Sequence, residues 1–268
     1  MIHPTAIVDP RASLGAGVKI GPFCTVGPEV VLADAVELVS HVAVDGRTTL
    51  QAGVKVFPFA TVGLAPQDLK YKGEDMRTLV GPRTVIREHC SIHRGTVTGS
   101  GITRIGADCL LMAVVHVAHD CEVGDGVIMS NNVVLGGHVS VGDRAVLGGG
   151  AAVLQFVRVG AGAMVGGVTG VTADVIPYGF VFGPRARLCG LNIIGLRRQG
   201  LDKAALHEVR QAYRFIFAGP GLFADRVAAA GEKFAGNRYV ADMLKFIAMP
   251  SRHGLITVLA RATGETED

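Results

Sequence analysis

A solenoid of parallel β-coils capped by a small helical domain is the fold this sequence predicts, and three observations predict it. An aliphatic residue recurs every six positions without a miss, at Ile2, Val8, Leu14, Ile20, Val26, Leu32, Leu38, Val44, Leu50, Val56 and Val62. A small residue follows each of the first ten by four places, from Ala6 and Ala12 through Cys24 to Ala60. There is no Trp, aromatics are 6% and Gly numbers 37, which suits a thin interior that admits branched aliphatics but few rings. A period of six matches neither helical nor simple strand periodicity; it is the hexapeptide repeat of a parallel β-helix. The left hand is taken from the repeat class, which departs from the usual right-handed crossover.

The elements follow in order. After Val62 the pattern stops, and Gly63 to Leu79 is polar, carries charges of both signs and holds Pro66 and Gly73, so it reads as a loop. The repeat resumes at Val80, Ile86 and Ile92. A second break covers Thr98 to Arg104, with Gly99 and Gly101, and further hexads then run from Ile105 to Val171 until Pro177 closes them. Three hexads per turn give about 18 residues per coil and about nine coils, with strands ~4.8 Å apart. From Leu191 the texture changes. Asp202 is the N-cap expected for a helix through about Phe217, and shorter helical patterns follow near 222–234 and 238–249, ended by Pro250. Residues 1–190 are thus assigned to a left-handed β-helix with loop insertions near 63–79 and 98–104, and 191–268 to a C-terminal helical domain.

Composition narrows the function. Cys24, Cys90, Cys109 and Cys121 all take the small inward place of a hexad, where a thiol is an apolar filler, and their spacing gives neither a CxxC pair nor a disulfide framework; Cys189 lies outside the register. A net charge of +3 is too weak to argue for nucleic acid. No stretch reaches the ~18 apolar residues of a membrane span. Met1 to His3 run straight into the first repeat with no signal-like segment, so a cytoplasmic location is expected.

The repeat also supplies coordinates. Hexads beginning at Ile92, Val117, Leu135 and Val153 fall on one face if the second loop leaves the register unrotated. His93, Arg94, His116, His119, Asp120, His138 and Gln155 then gather within ~15 Å, three coil steps. Neutral imidazole beside a carboxylate suits general-base chemistry near neutral pH. Metal is the rival use, but His116 and His119 are three apart on an extended strand and point to opposite sides. No metal is assigned.

At these residues the sequence resembles the UDP-N-acetylglucosamine O-acyltransferase family of lipid A biosynthesis. The matching stretches are IGPFCTVGP (20–28), QDLKY (67–71), SIHRGTV (91–97), HVAHDC (116–121), GGHVSVGD (136–143), QFVRVGA (155–161) and NIIGLRR (192–198). The resemblance implies a homotrimer with active sites in the clefts between shafts. It implies transfer of a 3-hydroxyacyl group from the phosphopantetheine of acyl carrier protein to the glucosamine 3-hydroxyl, with no bound cofactor. By that likeness His119 is the general base, Asp120 orients it and the Gly137 N–H meets the oxyanion. His116, His138 and Gln155 would hold sugar and phosphates, with His93 counted among the same substrate-binding side chains. Asp68 and Lys70 would reach in from the loop, and Asn192 and Arg198 would grip the nucleotide. Gly167 and Arg185 would bound the acyl chain.

Three residues depart from the family pattern: Leu154 where His is frequent, Ile194 where an acidic residue is common, and Gln199 where a basic run continues. Two alternatives stay open. One is the N-acyltransferase acting later in the pathway, whose extra leading domain has no counterpart before Ile2. The other is a zinc carbonic anhydrase of the same repeat class. The residues leave open whether the acceptor is a 3-hydroxyl or a 3-amino group.

Overall fold

The computed structural model describes residues 1–257; residues 258–268, which the sequence assigns to the helical domain, lie outside the described residues. Three sheets form the walls of a left-handed β-helix, parallel except for the last pair of strands in the third. The first wall holds nine strands from Ile7–Val8 to Gly170–Val171 and the second eight from Ser13–Leu14 to Arg158–Val159. The third holds ten, from Lys19–Ile20 to Arg187–Leu191. The chain visits first, second and third wall in turn. Hexad aliphatics such as Leu50, Ile92, Leu111 and Leu135 are fully buried, as are the small partners Val115, Cys121 and Val133. Each buried aliphatic contributes about 1.5–3 kcal/mol, so an Asp in place of Leu135 would break its coil.

The first interruption is shorter than the sequence predicts, and the second begins and ends earlier. Pairing runs to Leu64 and resumes at Arg77, then runs to His93 and resumes at Ile102. The inserts are therefore 65–76 and 94–101, not 63–79 and 98–104. The reason is the small inward place two residues before each aliphatic. Thr78 before Val80 and Thr103 before Ile105 fill it, buried like Thr48 before Leu50 and paired across it. The register survives both inserts: Val62 pairs with Ile92, Ile92 with Val117, Val117 with Leu135 and Leu135 with Val153. Both inserts leave the shaft at one edge, between the first and second walls.

The cap comprises α1 (Ile193–Arg198), α2 (Lys203–Ala218), α3 (Phe223–Lys233) and α4 (Arg238–Ala248). Asp202 caps α2 by accepting the Ala205 N–H, and Leu206, Val209, Ala212 and Ile216 bury one face. Six-residue α1 is too short to show a helical period, so the sequence pattern predicts no separate element there. The cap docks on the last coils through the Tyr178 hydroxyl, which donates to Asp242 at 2.6 Å. Arg158 pairs with buried Asp174 at 2.7 Å and lies 4.4 Å from the Phe246 ring centre. Beyond α4 the chain returns to the shaft. Gly254 accepts the Asp174 N–H and Asp174 accepts the Ile256 N–H, which covers part of the strand edge left open at the last coil. No described helix is long and apolar enough to cross a membrane.

Candidate active site

The edge between the first and second walls collects most of the expected site residues. Ala118 to Cys121, Gly136 to Val139 and Leu154 to Val157 are its turns in successive coils, and the two inserts emerge from the coils just before them. The fourth residue of each hexad turns the corner in the left-handed region, with φ of 57° at Asp120, 62° at His138 and 66° at Phe156. Side chains at that place therefore stack along the edge. The His138 ring lies on Phe156 at 4.4 Å between centroids, nearly parallel, and His119 meets His138 edge-on at 5.0 Å.

The centre is a His–Asp pair. His119 Nδ1 is 2.9 Å from Asp120 Oδ2, and the two side chains are 17% and 1% exposed. The carboxylate also accepts from the Thr96 hydroxyl at 2.6 Å, the Thr96 N–H, the Gly101 N–H at 3.0 Å and the Ser100 hydroxyl at 3.4 Å. Burial works to raise the Asp120 pKa, but hydrogen bonds from Thr96 and His119 outweigh it and hold the carboxyl below its ordinary range. An ionised carboxylate at Nδ1 makes that nitrogen the donor and leaves Nε2 as the basic atom, a tautomer assigned from the network. The other edge of the ring lies against Gly137, where a Cβ would come within 2.8 Å of Nε2. Glycine is what lets the imidazole sit there. No acceptor among the described residues takes the Gly137 N–H.

Burial lowers the pKa of each of the neighbouring histidines His93, His116 and His138. His93 is buried, its pKa pushed down to about 4 by desolvation and by the charges of His116 and His119. Its Nδ1 has no partner among the described residues. His116 is also lowered by burial; its Nδ1 lies 2.7 Å from the Ser91 hydroxyl. Burial lowers His138 too, against the charges of Asp120 and Asp68. Asp68, on the first insert, thus acts electrostatically on the edge, while its Oδ1 accepts the Lys70 N–H; Lys70 is exposed. Gln155 is exposed above Gly137, and its carbonyl is 2.9 Å from His253 Nε2.

Other residues lie elsewhere. Arg94 does not join the cluster. Its Nε donates to the Gly63 carbonyl at 2.7 Å and its guanidinium reaches Asp45, so it pins the base of the first insert to an earlier coil. Asn192 and Arg198 sit at the opposite edge of the second wall. Asn192 caps α1 by accepting the Gly195 N–H and donating to the Gly162 carbonyl. With Arg198 it lines a cavity of about 750 Å³ whose floor is Ile128, Val146 and Met164 of the third wall. Gly167 is exposed at the edge between third and first walls, and Arg185 lies beside Gly170 as the next rung of the first wall. Sequence reading missed Thr96, Ser100 and Gly101, which lie in a non-repeating insert. It also missed Arg252, whose guanidinium is 4.0 Å from the Phe156 ring centre.

His119, Asp120 and His138 offer ligand atoms within 4.8 Å of one another, the one such grouping among the described residues. The Asp120 oxygens are already taken up by Thr96, Gly101 and His119, which suits a hydrogen-bonded pair better than a chelate.

Known proteins match the chain along nearly its whole length. A family model described as UDP N-acetylglucosamine O-acyltransferase, domain 2, matches residues 174–256, and one for bacterial transferase hexapeptide repeats matches 102–137. An acyl-[acyl-carrier-protein]–UDP-N-acetylglucosamine O-acyltransferase from Azorhizobium caulinodans is 49% identical over 95% of this chain and 94% of its own. One from Caulobacter vibrioides is 48% identical over 92% and 94%. Among solved structures, a UDP-N-acetylglucosamine acyltransferase superposes with a TM-score of 0.93 at 38% identity, covering 97% of this chain and all of that one. The enzyme from Acinetobacter baumannii gives 0.90 at 39%, covering 95% and 99%.

Proposed function

Because the chain belongs to the UDP-N-acetylglucosamine O-acyltransferase family, we propose that the His119 edge is where a 3-hydroxyacyl chain passes from acyl carrier protein to the glucosamine 3-hydroxyl of UDP-N-acetylglucosamine. That transfer is the first step of lipid A biosynthesis. One observation carries the assignment of the base: His119 Nδ1 is tied to a buried carboxylate while its Nε2 edge lies on Gly137.

In this reading Nε2 takes the proton of the 3-hydroxyl as that oxygen attacks the thioester carbon. Asp120 stabilises the imidazolium, and the Gly137 N–H donates to the oxygen that becomes negative. When the carbon–sulfur bond breaks, the imidazolium gives that proton to the departing thiolate, which leaves as the thiol. Atoms and charge balance with thioester and hydroxyl alone, so the step requires no resident metal or cofactor; the acyl group arrives on the phosphopantetheine of its carrier. His93, His116, His138 and Gln155, with Asp68 and Lys70 from the insert, hold the sugar and phosphates.

Asn192 and Arg198 lie on the far edge of the same chain, so a site that uses them draws them from a second copy. Outward-facing Val85, Leu110, Ile128, Val146, Met164 and Phe180 give the third wall an apolar stripe. Packing that stripe on the first wall of a neighbour brings the two edges together and closes as a ring of three, which supports the homotrimer. The first wall offers the acyl path. Its outward residues shrink in successive coils from His116 through Val134 and Ala152 to Gly170, where Arg185 stands beside it, with Gly167 at the corner. The location proposed is the cytoplasm.

The test supplies purified protein with UDP-N-acetylglucosamine, its 3-amino analogue and a panel of acyl carrier thioesters. A product one 3-hydroxyacyl group heavier than UDP-N-acetylglucosamine is expected by mass. Turnover confined to the amino analogue would overturn the acceptor.

A further inference from the structure

We infer that the second insert, 94–101, is a cage that fixes the Asp120 carboxylate, and that Thr96 is a positioning residue for the general base. The inference rests on the reading of His119 as that base. The insert supplies four of the five groups around the carboxylate: the Thr96 N–H, the Thr96 hydroxyl at 2.6 Å, the Gly101 N–H at 3.0 Å and the Ser100 hydroxyl at 3.4 Å. His119 is the fifth. The Asp120 N–H donates to Thr103, the first inward residue after the insert, so backbone and side chain of Asp120 are held by one segment.

The segment Arg-Gly-Thr-Val-Thr-Gly-Ser-Gly wraps this tightly because of its glycines. A Cβ on Gly99 would lie 2.2 Å from the Asp120 carboxyl carbon, and one on Gly95 would lie 2.2 Å from the Ile102 nitrogen. Gly101 has a φ of +73°, in the left-handed region that glycine adopts without strain. Thr96 is 2% exposed, and Thr98 lies within hydrogen-bond reach of its hydroxyl at 3.1 Å, so its O–H is directed at the carboxylate.

A carboxylate that loses a buried donor becomes a stronger base and pulls harder on the imidazole proton. Its orientation also loosens, and with it the placement of Nε2. Thr96→Val keeps the shape and deletes the donor. The expected result is kcat lower by about 10- to 100-fold with KM for both substrates within about twofold. The acidic limb of the kcat/KM profile should move to higher pH, by about half a unit or more, because the imidazolium is better stabilised. Thr96→Ser should restore both.

Should Thr96→Val fail to assemble, Thr96→Ala is read the same way. Wild-type kcat and an unmoved limb in a folded Thr96→Val or Thr96→Ala protein would overturn the proposal, as would equal damage in Thr96→Ser. His119→Ala, run alongside, separates the two readings. If it retains turnover, the assignment of the base fails first. If it is inactive while Thr96→Val matches wild type, only the cage is lost.

Discussion

Two edges of this shaft carry stacked rings, and only one has the makings of an active site. Between the third and first walls, Phe23, His41, Phe59 and His89 turn the corner with φ of 52° to 64° and stack at 4.9, 4.9 and 5.0 Å. Between the first and second walls, Asp120, His138 and Phe156 take the same place in the hexad at almost the same φ. Spacing and backbone are shared, and imidazoles occur on both. The difference is the inserts. On the first–second edge a glycine-rich segment brings four donors to a buried carboxylate, which in turn commits one nitrogen of His119. Side chains on the other edge are exposed and lack any such network among the described residues. The repeat thus fixes where groups stand, and the interruption gives them chemistry.

Matched substitutions on the two edges would break that contrast most directly. His119→Ala should lower kcat by about 10²- to 10⁴-fold. His138→Phe should damage turnover, whereas His41→Phe, which keeps a ring in its stack, should leave it within about twofold; equal effects in steady-state assays would erase the distinction. Gly137→Ala is the next largest. Its methyl would press on the His119 ring, and misplacing that ring should cost about 100-fold in kcat with the fold intact by circular dichroism.

Acid stability sharpens the comparison further. His93 is held neutral by burial with a pKa of about 4 in place of the ordinary 6.5, so the unfolded chain binds its proton first as pH falls. Its contribution is whole above pH 6.5 and is lost progressively down to about pH 4, of order 1–3 kcal/mol. Denaturant melts of His93→Gln should show a flatter pH dependence than wild type across that window. The smallest effect belongs to Arg185→Ala. Removing the side chain beside Gly170 should raise kcat/KM for a donor two carbons longer, relative to the shorter one, by about threefold or more.

How far these features were legible depended on whether a residue sat inside the repeat. The period of six placed every wall, and the stacking of Ile92, Val117, Leu135 and Val153 followed from counting alone. His119, Asp120, Gly137 and His138 came together for the same reason. Residues outside the count had no coordinates. Ser100 and Gly101 fall in the second break, Thr96 lies within the hexad counted from Ile92 and gains no role there, and Arg94, placed by that same hexad, turns back to Gly63. Thr78 and Thr103 were counted as loop because they are polar, although they occupy the small inward place. Asn192 was expected at the nucleotide, and its part in capping α1 was not foreseen because so short a helix leaves no periodic trace. Arg252 and His253 reach Phe156 and Gln155 only through the tertiary return of the chain.

The unbroken register across the inserts has an evolutionary corollary. Thirty residues separate Val62 from its partner Ile92, and twenty-five separate Ile92 from Val117, yet the pairing above and below is identical. One surplus is a multiple of six and the other is not. Register alone therefore sets no length for either insert, and while the second is tied to Asp120 by its four donors, the first is free to lengthen or shorten, whereas losing a single residue within any coil would put that coil out of phase. Variation between lineages should accumulate in the first insert, which makes it the place where new specificities arise most readily.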